Sequence, residues 1–438
     1  MCLPWWGYFT FKNKYGNKVG YVSLISFWML FEYIHLNWQL TWPWLTLGNV
    51  FATHPSWIQW YEYTGVSGGT FWILFTNILV YELIQKMRAK NNKTILYKAA
   101  VVIVVSLPIV VSAVVEIFVS GEQQNQKNNV LIIQPNIDPY QKFENFSIPQ
   151  QIQKLIALSE KEIDSSTQLI LWPETALAAG VVQSETQHTP VYQTVFDFVN
   201  RHPNITLLTG IENFKTYGTS KETATARKTP EGIYYDEFNS AVVIKANQPL
   251  QFYNKSKLVP GVESLPTFLN FMSPLFEHFG GTAGGYGRDT AAIAFHVNNN
   301  PYIAAPIICY ESIYGEYVTE YVKRGANILT ISTNDGWWGN TPGHKQHLQY
   351  ARLRAIETRR WVARSANTGI SAVIDEKGNI ITTQPWDKAA VIKYNIPVLN
   401  KQTFYVQFGD YLYKIAAVFA VLLMAWNLYL IVKQKIKK

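Results

Sequence analysis

The chain has 438 residues, of which 48% are hydrophobic, 15% aromatic and only 16% charged, and its 38 Lys and Arg outnumber 30 Asp and Glu for a net charge of +8. A mean hydropathy of −0.03 excludes a protein that is membrane throughout, while the length leaves room for one large domain with added elements or for two domains. Two cysteines, one of them at position 2, exclude a disulfide framework, and with no CxxC or Cys/His cluster neither a metal nor another cofactor is expected.

The chain opens on MCLPWWGYFT, read as the remnant of a loop, with Cys2 incidental because no lipobox or apolar signal precedes it. A first span covers about 19–38 (VGYVSLISFWMLFEYIHLNW), close to the ~20 residues that cross a bilayer core. It carries Glu32 and His35, which are costly in lipid and so face a bundle interior. A second span is expected at about 68–84 and a third, rich in Val, Ile and Ala, at about 99–119. A fourth follows near the end, at about 412–432. Three membrane helices thus occupy a membrane part at 1–120, and the fourth, with a basic tail, makes up 411–438.

Positive charge sets the direction of these spans. Lys12, Lys14 and Lys18 precede the first, Lys86, Arg88, Lys90, Lys93 and Lys98 fill the connection between the second and third, and Lys433, Lys435, Lys437 and Lys438 follow the fourth. The connection at 39–67 has no Lys or Arg and carries Trp42, Trp44, Trp57 and Trp60, an interfacial belt. Both termini then lie in the cytoplasm and residues 121–410 lie outside it, with the first span acting as an uncleaved anchor. Because the basic residues flank apolar segments, the positive charge is not a nucleic-acid footprint.

From Asn129 the texture changes to short apolar β runs alternating with helical stretches, the pattern of a layered α/β sheet protein. Strands are expected at VLIIQPNI, QLILWPE, ITLLTGIEN, NSAVVIKA, AAIAFHV, YIAAPIICY, NILTISTND and ISAVIDEKGNI, and helices at 149–163, 189–201, 312–324 and 343–360. The polar segment 213–232 reads as a surface loop. Residues 264–287 have an apolar half suited to a lid against a membrane, and their glycine cluster lacks the strand–loop–helix context of a phosphate cradle.

Three residues at the ends of β-rich runs carry the chemistry. Cys309 sits where the strand AAPII gives way to a helix, near backbone N–H groups and a positive dipole end that favour a thiolate. Glu174 follows LILWP, in apolar and aromatic surroundings that raise a carboxyl pKa and suit general acid–base work. Lys255 follows an extended run and offers a movable point charge for an oxyanion, together with the Tyr310 backbone N–H. Taken singly, each has an ordinary reading: a core cysteine, a surface carboxylate and a solvated lysine beside Lys257. Glu263 and Glu311 fit either orienting carboxylates or plain salt-bridge partners. His344 and His347, spaced i, i+3, read as helix-surface or hydrogen-bonding histidines rather than metal ligands, since no acidic partner in a metal motif accompanies them. An amide hydrolase and an acyltransferase both remain compatible with this chemistry.

WPET around Glu174, YNKSKLVP around Lys255 and ICYES around Cys309 resemble the Glu-Lys-Cys signature of the nitrilase (carbon–nitrogen hydrolase) superfamily. With TNDGWWG, HLQYARLRAIETRR and the aromatic-rich WMLFEYIHLNWQLTWPWLTLGN, nearly the whole chain is similar to one branch, the apolipoprotein N-acyltransferases. The resemblance implies an αββα sandwich on the outer face of a bacterial cytoplasmic membrane. It also implies a ping-pong reaction, in which Cys309 takes an acyl chain from a phospholipid and passes it to the α-amino group of a diacylglyceryl-cysteine on a lipoprotein. Carried over by motif, Glu174 is the base, Lys255 steadies the oxyanion and Cys309 is the nucleophile, with Glu263, Tyr310 and Glu311 in support. Asn239, Asn334, Trp337 and Trp338 match pocket positions, and Phe143, after QPNIDPYQ, falls where the family carries an aromatic. A monomer without cofactors suffices. LVPGVE departs from the family's usual LVPFGE, and family members carry further spans ahead of the first one here. A membrane-anchored amidase and an inactive, N-terminally shortened form are the alternatives.

Overall fold

The computed structural model describes residues 2–119, 129–140, 147–266, 269 and 285–436. They fall into two compact units, Met1–Ser120 with Thr403–Lys438, and Gly121–Gln402. Among the described residues the α-helices are α1 (Cys2–Tyr15), α2 (Asn17–Asn37), α3 (Tyr61–Arg88), α4 (Thr94–Phe118), α5 (Ile148–Glu160), α6 (Gln193–Arg201), α7 (Gly315–Lys323), α8 (Pro342–Thr358), α9 (Phe404–Phe408) and α10 (Tyr411–Ile436). The strands are β1 (Asn129–Gln134), β2 (Thr167–Leu171), β3 (Leu177–Val182), β4 (Thr206–Thr216), β5 (Arg227–Lys228), β6 (Tyr234–Ile244), β7 (Gln251–Asn254), β8 (Ala304–Ile308), β9 (Ile328–Thr333), β10 (Val362–Ala366), β11 (Ala372–Ile374), β12 (Ile380–Thr383) and β13 (Ala390–Asn395).

In the first unit, α2, α3, α4 and α10 are each long and apolar enough to cross a membrane. The opening segment is not a loop but helix α1, whose Phe11 packs on Phe27 of α2 with ring centroids 6.1 Å apart. Tyr8 and Phe11 are buried there, so apolar burial fixes as helix a stretch whose proline and glycine argue for a loop. Helix α3 begins earlier than its apolar run and bends at Gly65, whose φ of 59° and ψ of −166° leave helical space. Glu32 faces the interior of this unit. It accepts hydrogen bonds from Trp28 Nε1 (3.1 Å), Leu47 N (2.9 Å), Thr70 Oγ1 (2.8 Å) and Tyr413 OH (2.7 Å). One carboxylate thus ties α2 to the loop after it, to α3 and to α10.

In the second unit the described strands form two sheets. The larger runs β13-β1-β2-β4-β6-β5, with β3 on β4 and β7 on β6, and the smaller runs β12-β11-β10-β9-β8. β1, β2 and β4 pair in parallel, as do β8, β9 and β10, and their runs are buried almost throughout, as parallel strands covered on both faces must be. The sheets meet through Ser365 Oγ donating to Ile133 O (2.7 Å) and Ser332 Oγ donating to Trp172 O (3.1 Å). On the outer face of the larger sheet, Ile152, Leu155 and Ile156 of α5 and Val195, Phe198 and Val199 of α6 pack with Leu131, Ile133, Ile170 and Leu207. Helix α5 starts cleanly because Ser147 and Gln150 form a reciprocal capping box. On the side of the smaller sheet α7 buries an apolar face, while α8 buries apolar residues together with His344, His347, Arg354 and Glu357. The result is the αββα sandwich that the resemblance implies.

Several local expectations are corrected. AAIAFHV forms no strand, only an isolated bridge between Phe295 and Ala304, because no neighbouring strand extends its ladder. Part of the polar stretch 213–232 is strand: β4 continues to Thr216 and the short β5 pairs with β6, while the rest of the segment is the expected loop. The lid reading of 264–287 falls mostly outside the described residues, as does Phe143.

Replacing Glu32 with Leu leaves four donors without their acceptor. Unfolding of the full chain in detergent is expected to need roughly 2 kcal/mol less free energy, at about 0.6 kcal/mol per hydrogen bond in such an interior. An unaltered denaturation midpoint for Glu32→Leu would mean that the carboxylate does not hold the helices together.

Candidate active site

The catalytic candidates stand where strands end. β2 stops at Leu171 and the chain leaves the sheet through Trp172, Pro173 and Glu174. Trp172 is fully buried and anchors this exit by donating from Nε1 to Ser159 Oγ of α5 at 3.0 Å. The neighbouring strand allows the turn only because it carries Gly210, where a Cβ would lie 2.4 Å from Thr175 N and 2.7 Å from the Glu174 Cα. Lys255 follows β7 and extends its ladder by donating from its backbone N to Asn239 O at 2.9 Å. Cys309 follows β8, at the start of a 3₁₀ turn spanning Cys309–Ile313.

These exits converge. Lys255 Nζ, 1% exposed, donates to Glu174 Oε1 at 3.0 Å and to Glu263 Oε1 at 2.7 Å. Asn239 Nδ2 bridges the same two oxygens at 2.8 and 3.1 Å. Glu174 Oε2 accepts from the Asn334 backbone N at 3.1 Å, and Glu263 Oε2 from Val259 N at 2.8 Å. The LVPGVE turn therefore brings Glu263 to the lysine despite its departure from the family pattern. Burial alone would lower the Lys255 pKa, but Glu174 and Glu263 outweigh it and hold the ammonium well above its ordinary value.

Cys309 is buried, and its backbone adopts a φ of 47°, a left-handed conformation that few non-glycine residues take. The dipole argument for a resting thiolate does not hold. Burial, the largest influence, pushes the thiol well up; Glu174 and Asp335 add to the rise, and Lys255 opposes it. One 3₁₀ turn carries too little aligned dipole to offset desolvation. The resting site therefore pairs a neutral thiol with an ionised lysine.

Glu311 lies beneath the site, fully buried. It accepts from Tyr253 OH (2.5 Å), Ser256 N (2.7 Å), Lys257 N (3.2 Å), Ile308 N (2.9 Å) and Tyr321 OH (3.2 Å). It joins the lysine loop to the cysteine turn rather than contacting the ammonium. Tyr310 is buried with its ring edge-on to Tyr314. Trp337 is 53% exposed, and its carbonyl accepts from Tyr140 OH at 2.9 Å. Trp338 packs edge-on against His347 with centroids 5.4 Å apart.

Sequence reasoning missed what stands behind the cysteine. His344 and His347 are not on the helix surface; both are fully buried. His347 Nδ1 lies 3.0 Å from Asp335 Oδ1 and its Nε2 lies 3.1 Å from Cys309 O, while Arg364 Nη2 donates to Asp335 Oδ2 at 2.7 Å. The signal was Arg364 itself, a charge in the mixed run VARSA that, once buried in β10, had to be met by a buried partner. The cysteine thiol, Asp335 and His347 offer atoms within 4.8 Å of one another, a spacing that a metal ion can use. The Arg364 guanidinium already occupies the aspartate and would repel a cation, so the set reads as an ion-paired support.

Residues 130–401 match the carbon–nitrogen hydrolase family, and residues 1–79 match the apolipoprotein N-acyltransferase N-terminal domain. An apolipoprotein N-acyltransferase of Chlorobaculum tepidum is 30% identical over 413 residues, covering 92% of this chain and 76% of the relative. The chain belongs to the apolipoprotein N-acyltransferase family. Apolipoprotein N-acyltransferase 2 of Treponema denticola is 26% identical, again over 92% of this chain and 76% of the relative. Among solved structures, Saccharomyces cerevisiae Nit3, a nitrilase-superfamily protein, superposes with a TM-score of 0.43 at 15% identity, covering 61% of this chain and 89% of that one. The resemblance read from the three motifs is sound: this is a bacterial membrane acyltransferase of the N-acyltransferase family, with a nitrilase-type domain.

Two outcomes follow from this geometry. With the thiol held protonated through neutral pH, the thiolate fraction grows with every rise in pH. Iodoacetamide should therefore alkylate Cys309 about tenfold faster per pH unit between about pH 6 and about pH 9; a flat rate would reveal a preformed thiolate. Gly210→Ala should overpack the Glu174 turn and lower stability by roughly 1–3 kcal/mol in a thermal melt, whereas an unchanged melt would place the turn away from β4.

Proposed function

We propose that the protein moves a fatty acyl chain from a phospholipid, through a thioester on Cys309, to the N-terminal amine of an S-diacylglyceryl-cysteine in a lipoprotein. The observation that carries this reading is the buried Lys255 ammonium clamped between Glu174 and Glu263, with the charges of Lys255 and Glu174 acting on the Cys309 thiol. Glu174 takes the thiol proton as Cys309 sulfur attacks the ester carbonyl of the donor lipid. The oxyanion that forms is met by Lys255 and by the Tyr310 backbone N–H in the first turn of the 3₁₀ helix. Collapse of the tetrahedral intermediate breaks the C–O bond, and the proton on Glu174 passes to the leaving lysophospholipid oxygen.

The second half reverses these roles. The acceptor amine gives a proton to Glu174 as its nitrogen attacks the thioester carbonyl, and the C–S bond breaks. The thiolate then recovers the proton, leaving an amide and the resting site. Burial of Cys309 slows hydrolysis of the thioester while the amine is awaited.

Asn239 and Glu263 hold Lys255 and Glu174 in this scheme, and Glu311 holds the two loops together. Asn334 fixes Glu174, and Trp337, Trp338 and Phe143 are assigned to the substrate pocket. One chain supplies the whole set, so a monomer suffices. The basic residues flanking the spans support an orientation with residues 121–410 on the periplasmic side of the cytoplasmic membrane, between the membrane part at 1–120 and the terminal span in 411–438.

The test uses the full chain in lipid nanodiscs with isotopically labelled phospholipid. Mass spectrometry should find the acyl mass on Cys309 in the wild type and none in Cys309→Ala, and Glu174→Gln should slow its appearance by ~10²–10⁴-fold. Adding a diacylglyceryl-cysteine peptide should discharge the adduct onto the peptide amine. A folded wild type that never carries the adduct, or that turns over water-soluble amides without lipid, overturns the reading.

A further inference from the structure

We propose that His347, oriented by Asp335 and Arg364, is a positioning residue that holds the Cys309 backbone in its left-handed conformation and so aims the thiol. The inference rests on the reading of Cys309 as nucleophile. A cysteine at φ 47° is unfavourable unless its surroundings over-determine it. Two groups fasten the Cys309 carbonyl: Ser312 Oγ donates to it at 2.7 Å, and His347 Nε2 stands 3.1 Å from it. A carbonyl only accepts, so in that contact Nε2 is the donor. Nε2 also lies 2.8 Å from Ser312 Oγ, which draws both donors onto one oxygen.

The imidazole is in turn fixed from behind. Its Nδ1 meets Asp335 Oδ1 at 3.0 Å and lies 3.2 Å from Arg364 Nη2. Asp335 is fully buried; it accepts from Thr333 Oγ1 at 2.8 Å and from Arg364 Nη2 at 2.7 Å. Arg364, also fully buried, spends its other terminal nitrogen on Ile370 O at 2.5 Å. Placing Asp and Arg in the core costs desolvation that apolar side chains would avoid, so bulk packing does not account for the cluster. Its place does. Asp335 follows Asn334, whose backbone N holds Glu174 Oε2, so one short segment sets the base and, through His347, the nucleophile. His347 thus reaches the nucleophile through its backbone, by way of the Cys309 carbonyl and Ser312.

The variants His347→Leu, His347→Gln and Asp335→Asn test this in full-length protein in nanodiscs, alongside Ser312→Ala. Formation of the Cys309 acyl adduct from labelled phospholipid is expected to slow about a hundredfold in His347→Leu, through the maximal rate and with the lipid concentration for half-maximal rate unchanged. His347→Gln, which keeps a donor, should recover part of that loss, and Asp335→Asn should slow the reaction without adding to His347→Leu. Iodoacetamide alkylation of Cys309 should slow in His347→Leu while keeping the wild-type pH slope. A folded His347→Leu that acylates and alkylates at wild-type rates overturns the inference, as does a changed pH slope, which would mean that His347 sets the ionisation of the thiol rather than its aim. If His347→Leu does not fold, His347→Gln and Ser312→Ala carry the same comparison. Absence of any adduct in the wild type sinks the acyl-carrier reading instead, and the alkylation series still decides whether His347 aims the thiol.

Discussion

Lys255 keeps its ammonium almost wholly out of water, 3.0 Å from Glu174 and 2.7 Å from Glu263, and the rest of the catalytic unit is arranged around that burial. A buried cation without partners is prohibitively costly, so both carboxylates have to arrive, and each needs its own support. Glu174 leans on Asn239 and the Asn334 N–H, and Glu263 on Asn239 and Val259 N. Glu174 also acts on the nearby thiol: beside burial, its charge and that of Asp335 help keep the thiol neutral, against the pull of Lys255. In the proposed reaction the charge of Glu174 is relocated rather than created. When Glu174 takes the thiol proton, the negative charge moves to sulfur and then to the oxyanion, with the same lysine in attendance.

The sheets explain how such a cluster can be assembled from positions 174, 255, 263 and 309. β2 and β8 belong to parallel sets, and parallel strands bring successive chain exits to one edge. Glu174 and Cys309 leave from those ends, and Asn334 leaves from the end of β9 beside β8. Hydrogen bonds such as that from Ser332 Oγ to Trp172 O tie the two sheets together beside these exits. The membrane unit solves a related problem within itself. Glu32 is buried with four donors on its carboxyl group, so a polar group unwelcome in an apolar bundle becomes its fastening.

Much of this was legible in the chain. The apolar runs announced the four helices long enough to cross a bilayer, and the runs around Leu131, Ile170 and Ile331 announced strands buried on both faces. The three motifs marked the residues that meet at the lysine. Legibility failed where partners were distant. β10 and β13 were missed because mixed runs such as VARSA and AVIKYN become strands only when β9 and β1 offer them a ladder. AAIAFHV had the composition of a strand but lacked the neighbour.

The sequence by itself determined which residue types could carry acyl transfer and that they stood beside membrane spans, because local pattern and covalent order are written residue by residue. Only the tertiary structure decided their electrostatics. It made the thiol neutral rather than ionised, because desolvation depends on how much protein surrounds a group and not on its neighbours in the chain. It also turned two helix histidines inward and set an aspartate and an arginine behind one of them, since a buried charge finds its partner across the fold, 29 residues apart for Asp335 and Arg364.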